Sequence, residues 1–216
     1  ELVQAAELRR ESGHQNYTFL LTNDIEITEE NQSSLDNSDF KYISFGSSDY
    51  PFEGIFDGQN HTISNLYINR EMGSSTSYYQ NNLGLFEVLK GTVKNLTVTG
   101  EVTARKTDNG YGATSAGIIA STLENAIIDN CHNKVNVTNE ERYGNYSSGA
   151  GGVVGVTRGG TVVKNCTNEG TIINKSQQEY SHAGGIIGNA GSSSITVINC
   201  HNSGTVKCDD FESSSN

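Results

Sequence analysis

The feature that most constrains this chain is a repeat. Five short segments share one pattern, a glycine followed by two apolar residues and, further on, an apolar residue before x-Asn and another apolar side chain. The glycines are Gly54, Gly84, Gly117, Gly152 and Gly185, stepping by 30, 33, 35 and 33 residues, and the asparagines are Asn65, Asn95, Asn130, Asn165 and Asn199, stepping by 30, 35, 35 and 34. A fixed period of this length means stacked units, because no one unit can bury its own apolar face. Within a unit the apolar positions lie two apart, which is strand periodicity and not the 3.6-residue period of a helix. Aligned by these landmarks, Ile63, Val93, Ile128, Val163 and Val197 form one column. Leu66, Leu96, Cys131, Cys166 and Cys200 form a second, and Val102, Val137, Ile172 and Val206 a third. Like stacked on like at about 4.8 Å per rung builds a core one strand wide. The expected fold is all-β, a parallel β-solenoid.

Residues Phe52 to Leu66 read F-x-G-x-F-D-G-x-x-H-x-I-x-N-L, with Asp57 in the Phe-Asp-Gly turn, and this resembles the opening of pectin-lyase-like right-handed β-helices. The later Gly-Leu-Phe, Gly-Ile-Ile and Gly-Val-Val units resemble the GLUG repeats of bacterial cell-surface proteins. The resemblance covers about residues 16 to 206. It implies a right-handed β-helix and an extracellular setting, secreted or at the cell surface. It leaves activity open, since such repeats occur in adhesins and in non-catalytic stretches of surface proteases such as the IgA1-protease family.

Residues 1–15 are expected to form an N-terminal capping helix, covering a strand edge that would otherwise recruit other chains. Residues 16–206 form the β-helix and 207–216 a polar tail or linker, with the natural chain expected to continue beyond it. The net charge of −11 belongs to the ends: residues 1 to 60 carry twelve acids and three bases, whereas 61 to 206 carry ten of each. An acidic chain without a basic cluster argues against a nucleic-acid partner. The absence of a long apolar run argues against membrane insertion of this segment. The low hydrophobic share, 34%, and the 24 glycines among 216 residues suit a solenoid with tight corners and little core per residue.

The polar residues of the columns read first as structure. Cys131, Cys166 and Cys200 lie in a line rather than converging, and no C-x-x-C occurs, so they are expected to be buried reduced thiols and not metal ligands. Asn133, Asn168 and Asn202 share the inward phase of the cysteines and are expected to hydrogen-bond one another as an amide ladder. The glycines and Asp57 are assigned structural roles, Asp-Gly being turn chemistry. His132 and His201 follow their cysteines and point outward from alternate rungs, too far apart to share a metal. Asp129, between Lys94 and Lys164, reads as a cross-rung charge ladder. No repeated column of Asp or Arg suggests a catalytic cluster, and the pattern requires no cofactor or metal.

Between the repeats lie segments of varying length, 70–83, 103–113, 138–148 and 174–182, all expected to leave at the same corner. They hold Tyr78, Tyr79, Tyr111, Tyr143, Tyr146 and Tyr180, six of the ten tyrosines, amid Ser, Asn and Gly. Tyrosine offers a large amphipathic contact area at low entropic cost, with small polar residues adapting around it. The expectation is therefore an adhesin-like module, not an enzyme, that binds a host or neighbouring-cell surface protein or glycan through these tyrosines. Two other readings stand beside it: a polysaccharide lyase or hydrolase by analogy of fold, and a spacer within a larger surface protein such as a protease.

Overall fold

In a computed structural model of the chain, the residues described are 17–28, 44–72, 82–106, 114–141, 148–176, 181–191 and 194–209. They form an all-β parallel solenoid of about four turns. Every strand pairing is parallel, in one eleven-stranded sheet and two four-stranded sheets. Among the described residues there is no helix, and hence none long and apolar enough to cross a membrane. The capping helix expected within 1–15 lies outside the described residues, as does most of the 207–216 tail.

The long strands Ile55–Met72, Thr92–Lys106 and Ile127–Glu141 lie side by side and make most of the large sheet. Their inward residues stack in register. Val93 pairs with Ile128, Ile128 with Val163 and Val163 with Val197. Ile68, Val102, Val137, Ile172 and Val206 form another column. All but the last member of each column are fully buried. Among the described residues, the last member of each column, Val197 and Val206, is exposed.

The N-terminal coils are filled by aromatic rings instead. Phe45 stacks on Phe86 at 5.1 Å between centroids, and Phe56 meets both edge-on at 5.3 Å. Phe52 closes the group at 5.5 Å from Phe86. Such pairs add about 0.5–1.5 kcal/mol each beyond the area they bury.

The first repeat does not stack as its spacing suggests. Phe56, not Ile63, pairs with Val93, and Ile63 pairs with Val98. Leu66 faces Gly100, and the Leu96 partner is His61. Gly54 is not in the column of Gly84: Gly91 packs onto the Gly54 carbonyl, and Phe45 bridges Phe86. The cause is two irregularities in Ile55–Met72, one between Asp57 and His61 and one between Ile63 and Leu66, where extra residues are accommodated. Gln59, Asn60 and Asn65 take positive φ there (52°, 64° and 61°). The corner column is thus Asn60, Asn95, Asn130, Asn165 and Asn199, whose steps of 35, 35, 35 and 34 are more regular than those counted from Asn65. The last four have φ of 51–54°. Asparagine tolerates this left-handed bend, which costs most L-residues about 1–2 kcal/mol. Asn130 Nδ2 donates to Oδ1 of Asn95 (3.0 Å) and of Asn60 (3.2 Å), tying the corner across rungs.

Candidate functional site

The strand ends that flank the four connections share one edge of the solenoid. Strands leave the large sheet at Met72, Lys106, Glu141 and Ser176, and these four residues are in register with one another. The chain re-enters at Asn82, Thr114, Gly149 and His182, again in register. Both stems of all four connections are therefore stacked in register. The strands run further than the sequence suggests, through Lys106, Glu141 and Ser176, so the connections are shorter than 103–113, 138–148 and 174–182. Tyr78, Tyr79, Tyr111, Tyr143, Tyr146 and Tyr180 lie outside the described residues.

Beneath that edge the interior turns polar. Two positions past the Val102–Val137–Ile172 column come Ala104, Asn139 and Asn174, and two further Lys106, Glu141 and Ser176, all buried. Asn139 Nδ2 donates to Asn174 Oδ1 (3.2 Å), and Asn174 Nδ2 donates to the His182 carbonyl (2.9 Å), joining an outgoing stem to a returning one. Lys106 and Glu141, opposite charges in register, are both fully buried. Sequence reading missed this cluster because it assigned these residues to loops; the signal was the i+2 alternation continuing past the valine column.

The flat outer face carries charges that alternate by rung. Glu71, Arg105, Glu140, Lys175 and Asp209 are in register. Glu140 accepts from Arg105 Nε (3.2 Å) and from Lys175 Nζ (3.1 Å). A second column runs Asp57, Lys94, Asp129 and Lys164, with Lys94–Asp57 and Lys164–Asp129 both at 3.2 Å. Charges stacked about 4.8 Å apart must alternate, because like charges directly opposite destabilise a sheet. Glu140, Asp57 and Asp129 are thereby engaged by basic neighbours. Among the described residues, no three of His, Cys, Asp and Glu converge to hold a metal ion. His132 bridges Thr167 Oγ1 (2.9 Å) and Asn130 Oδ1 (3.2 Å), as a part of the lattice of outer side chains.

Asp57 is a strongly perturbed carboxylate. Its burial works against ionisation, yet the Asn95 amide (3.0 Å), the Gln59 N–H (3.0 Å) and the Lys94 ammonium outweigh it and hold the pKa at about 2. The charged form is the one the turn requires, since it gathers the Gln59 and Asn60 bend and the Asn corner around one anion.

The thiols of Cys131 and Cys166 are buried, that of Cys200 partly so, and all are free. Each donates to the carbonyl two residues earlier on its own chain, at 3.5, 3.1 and 3.4 Å. Burial pushes the Cys131 thiol well up, which keeps it protonated. Asn133 Nδ2 donates to Asn168 Oδ1 (2.6 Å) and Asn168 Nδ2 to Asn202 Oδ1 (2.7 Å). Each amide also donates to the carbonyl two residues on, Val135, Gly170 and Gly204. The repeat glycines make room for this ladder. A Cβ on Gly117 would lie 1.8 Å from Asn133 Oδ1, and one on Gly152 would lie 2.4 Å from Asn168 Oδ1. One on Gly185 would lie 2.2 Å from Asn202 Oδ1.

These features define a parallel β-solenoid with polar ladders inside, charge ladders outside and the stems of its connections in register on one edge. No protein-family model matches the chain, and no curated protein sequence matches it. A solved structure from Bacteroides ovatus, named "putative immunoglobulin A1 protease", is similar in fold, with a TM-score of 0.61 and 22% sequence identity. The similarity covers 90% of this chain and 52% of that one, so this chain spans about half the length of that neighbour.

Proposed function

We propose that this chain is a non-catalytic, secreted or cell-surface module that binds a host or neighbouring-cell protein or glycan through the tyrosine-bearing connections. The observation that carries this reading is the register of the stems: Met72, Lys106, Glu141 and Ser176 on the outgoing side, and Asn82, Thr114, Gly149 and His182 on the returning side. A register of this kind brings side chains from separate repeats to bear on one ligand, the usual arrangement in repeat proteins. We read the array itself as a right-handed β-helix of GLUG type. The engagement of Asp57, Asp129 and Glu140 by basic neighbours weighs against a polysaccharide lyase or hydrolase, and incubation with uronic-acid polymers is expected to yield no unsaturated product.

The test is binding to an array of surface glycans and host proteins. Replacing Tyr78, Tyr79, Tyr143 and Tyr146 together by serine is expected to abolish the signal while leaving the circular dichroism spectrum unchanged. Undiminished binding by that variant overturns the assignment. A second reading, a spacer in a longer surface protein, is favoured by the neighbour named for a protease, of which the similar part is only 52%. An array without any specific hit would select it.

A further inference from the structure

Three thiols stand in one inward column, and their sulfurs repeat with one geometry. Cys131 and Cys166 are flanked by residues in register, Asp129 with Lys164 and His132 with Thr167, so they occupy adjacent rungs. Both are fully buried. The Cys131 thiol lies against the Asp129 carbonyl two residues earlier (3.5 Å) and the Val93 carbonyl one rung back (3.6 Å). The Cys166 thiol lies against Lys164 (3.1 Å) and Ile128 (3.9 Å), the same two places one rung on. Cys200 repeats them with Ile198 (3.4 Å) and Val163 (3.6 Å). Val93, Ile128 and Val163 are themselves in register. Side chains with equivalent partners share a rotamer, so successive sulfurs are set apart by the rung spacing, about 4.8 Å.

That spacing selects a chemistry. A disulfide would need the sulfurs to close to about 2.0 Å, which two parallel thiols cannot do without new rotamers. A tetrahedral cation such as zinc needs four ligands that converge, and sulfurs in a line do not converge. A cation that takes two ligands in a straight line needs what the column offers. With a metal–sulfur bond of about 2.3 Å, as in zinc thiolates, the sulfurs of a linear unit stand about 4.6 Å apart. Thiolates select soft cations. Charge narrows the class further: a divalent cation between two thiolates is neutral, whereas a monovalent one leaves a negative charge among buried Val93, Leu96, Ile128 and Val163. We infer that Cys131 and Cys166 form a two-coordinate site for a soft divalent cation. Each thiol gives its proton to solvent as its sulfur bonds the metal, so two protons leave for each cation bound.

Mercuric ion is the probe, and the full chain carrying Cys200→Ala and Cys208→Ser keeps only the two thiols of the site. Urea titration of this chain with and without one mercuric ion per chain reads the geometry, because the unfolded chain can bind the ion through the same thiols. A fold that already holds the sulfurs at the required distance should show a midpoint higher by about 1 M, since the ion then acts as a cross-link on the unfolded chain. A fold that cannot seat the ion should lose stability, because the unfolded chain then binds it better. A midpoint that falls or stays in place overturns the inference. X-ray absorption at the mercury edge of the folded complex is expected to show two sulfurs and no other ligand, and one sulfur beside oxygen or nitrogen overturns it as well. Adding Cys131→Ser should abolish the rise, and a rise that survives overturns the pairing. The unsubstituted chain, with exposed Cys208 first alkylated, repeats the titration without a core substitution.

Discussion

The Asn133 side-chain amide donates to Asn168 Oδ1 over 2.6 Å, deep inside a solenoid whose neighbouring columns are valine, isoleucine and cysteine. Asn168 in turn donates to Asn202, so one residue holds both links of the ladder. Asn168→Ala is expected to strip the buried Asn133 amide and the buried Gly170 carbonyl of a partner and to lower unfolding stability by about 3 kcal/mol. Urea titration followed by circular dichroism checks this. A loss below about 1 kcal/mol would mean that water replaces the ladder.

The glycine and asparagine of one rung depend on each other. Gly117→Ala places a Cβ against Asn133 Oδ1, whereas Gly84, whose rung carries Val98 where the next carries Asn133, has no neighbour nearer than 3.1 Å. Gly117→Ala is expected to cost more than Gly84→Ala, and Asn133→Ala is expected to recover part of the first loss and none of the second. A double-mutant cycle with no coupling between positions 117 and 133 would contradict the contact.

Acid should loosen the first turn before the rest. Asp57 has a pKa of about 2 in the fold against an ordinary value of 3.8. A lowered folded value stabilises above the unfolded pKa and ceases to do so as pH falls through the folded one. Asp57 therefore contributes up to about 2 kcal/mol at neutral pH that disappears between about pH 4 and pH 2. Asp57→Asn should flatten the stability profile in that window. An unchanged slope in the variant sinks the assignment.

The outer ladder predicts a salt-dependent defect. Glu140→Lys puts three cations in a row with Arg105 and Lys175, which Glu140 now joins. The cost should be about 1 kcal/mol at low salt and should shrink as added salt screens the column. Melting temperatures of both proteins at low and high salt measure it, and a salt-independent difference would point to packing instead.

Thiol chemistry should follow burial. Cys208, exposed on the last strand, is expected to react with a bulky disulfide reagent in the native state, and Cys131 and Cys166 only after unfolding. Mass mapping of the labelled cysteines before and after denaturant separates the classes. Native labelling of Cys131 would show that the coils open locally.

Much of this was legible in the sequence. The inward columns from Val93 onward, the Asn133–Asn168–Asn202 ladder and the Lys94–Asp129–Lys164 alternation follow from residue spacing alone, because in-register stacking turns sequence period directly into contact. The first repeat was not legible in the same way. Asn65 resembles Asn95 in its surroundings, Ile63-x-Asn-Leu against Val93-x-Asn-Leu, and local likeness concealed the steadier 35-residue step from Asn60. Spacing cannot show whether extra residues are absorbed in a loop or as bulges within a strand, and here bulges absorb them.

By itself, then, the sequence determined that this chain stacks parallel strands around a narrow core and which side chains repeat along it, since a solenoid has only nearest-neighbour rungs and each rung restates the last. The tertiary structure decided what depends on distance across the coil. It set which glycine faces which asparagine and how far the strands run, which brings Lys106 and Glu141 into register and buries both. It also showed Val197 and Val206 exposed on the last rung described, because burial is a property of the neighbour that stacks next and not of the residue itself.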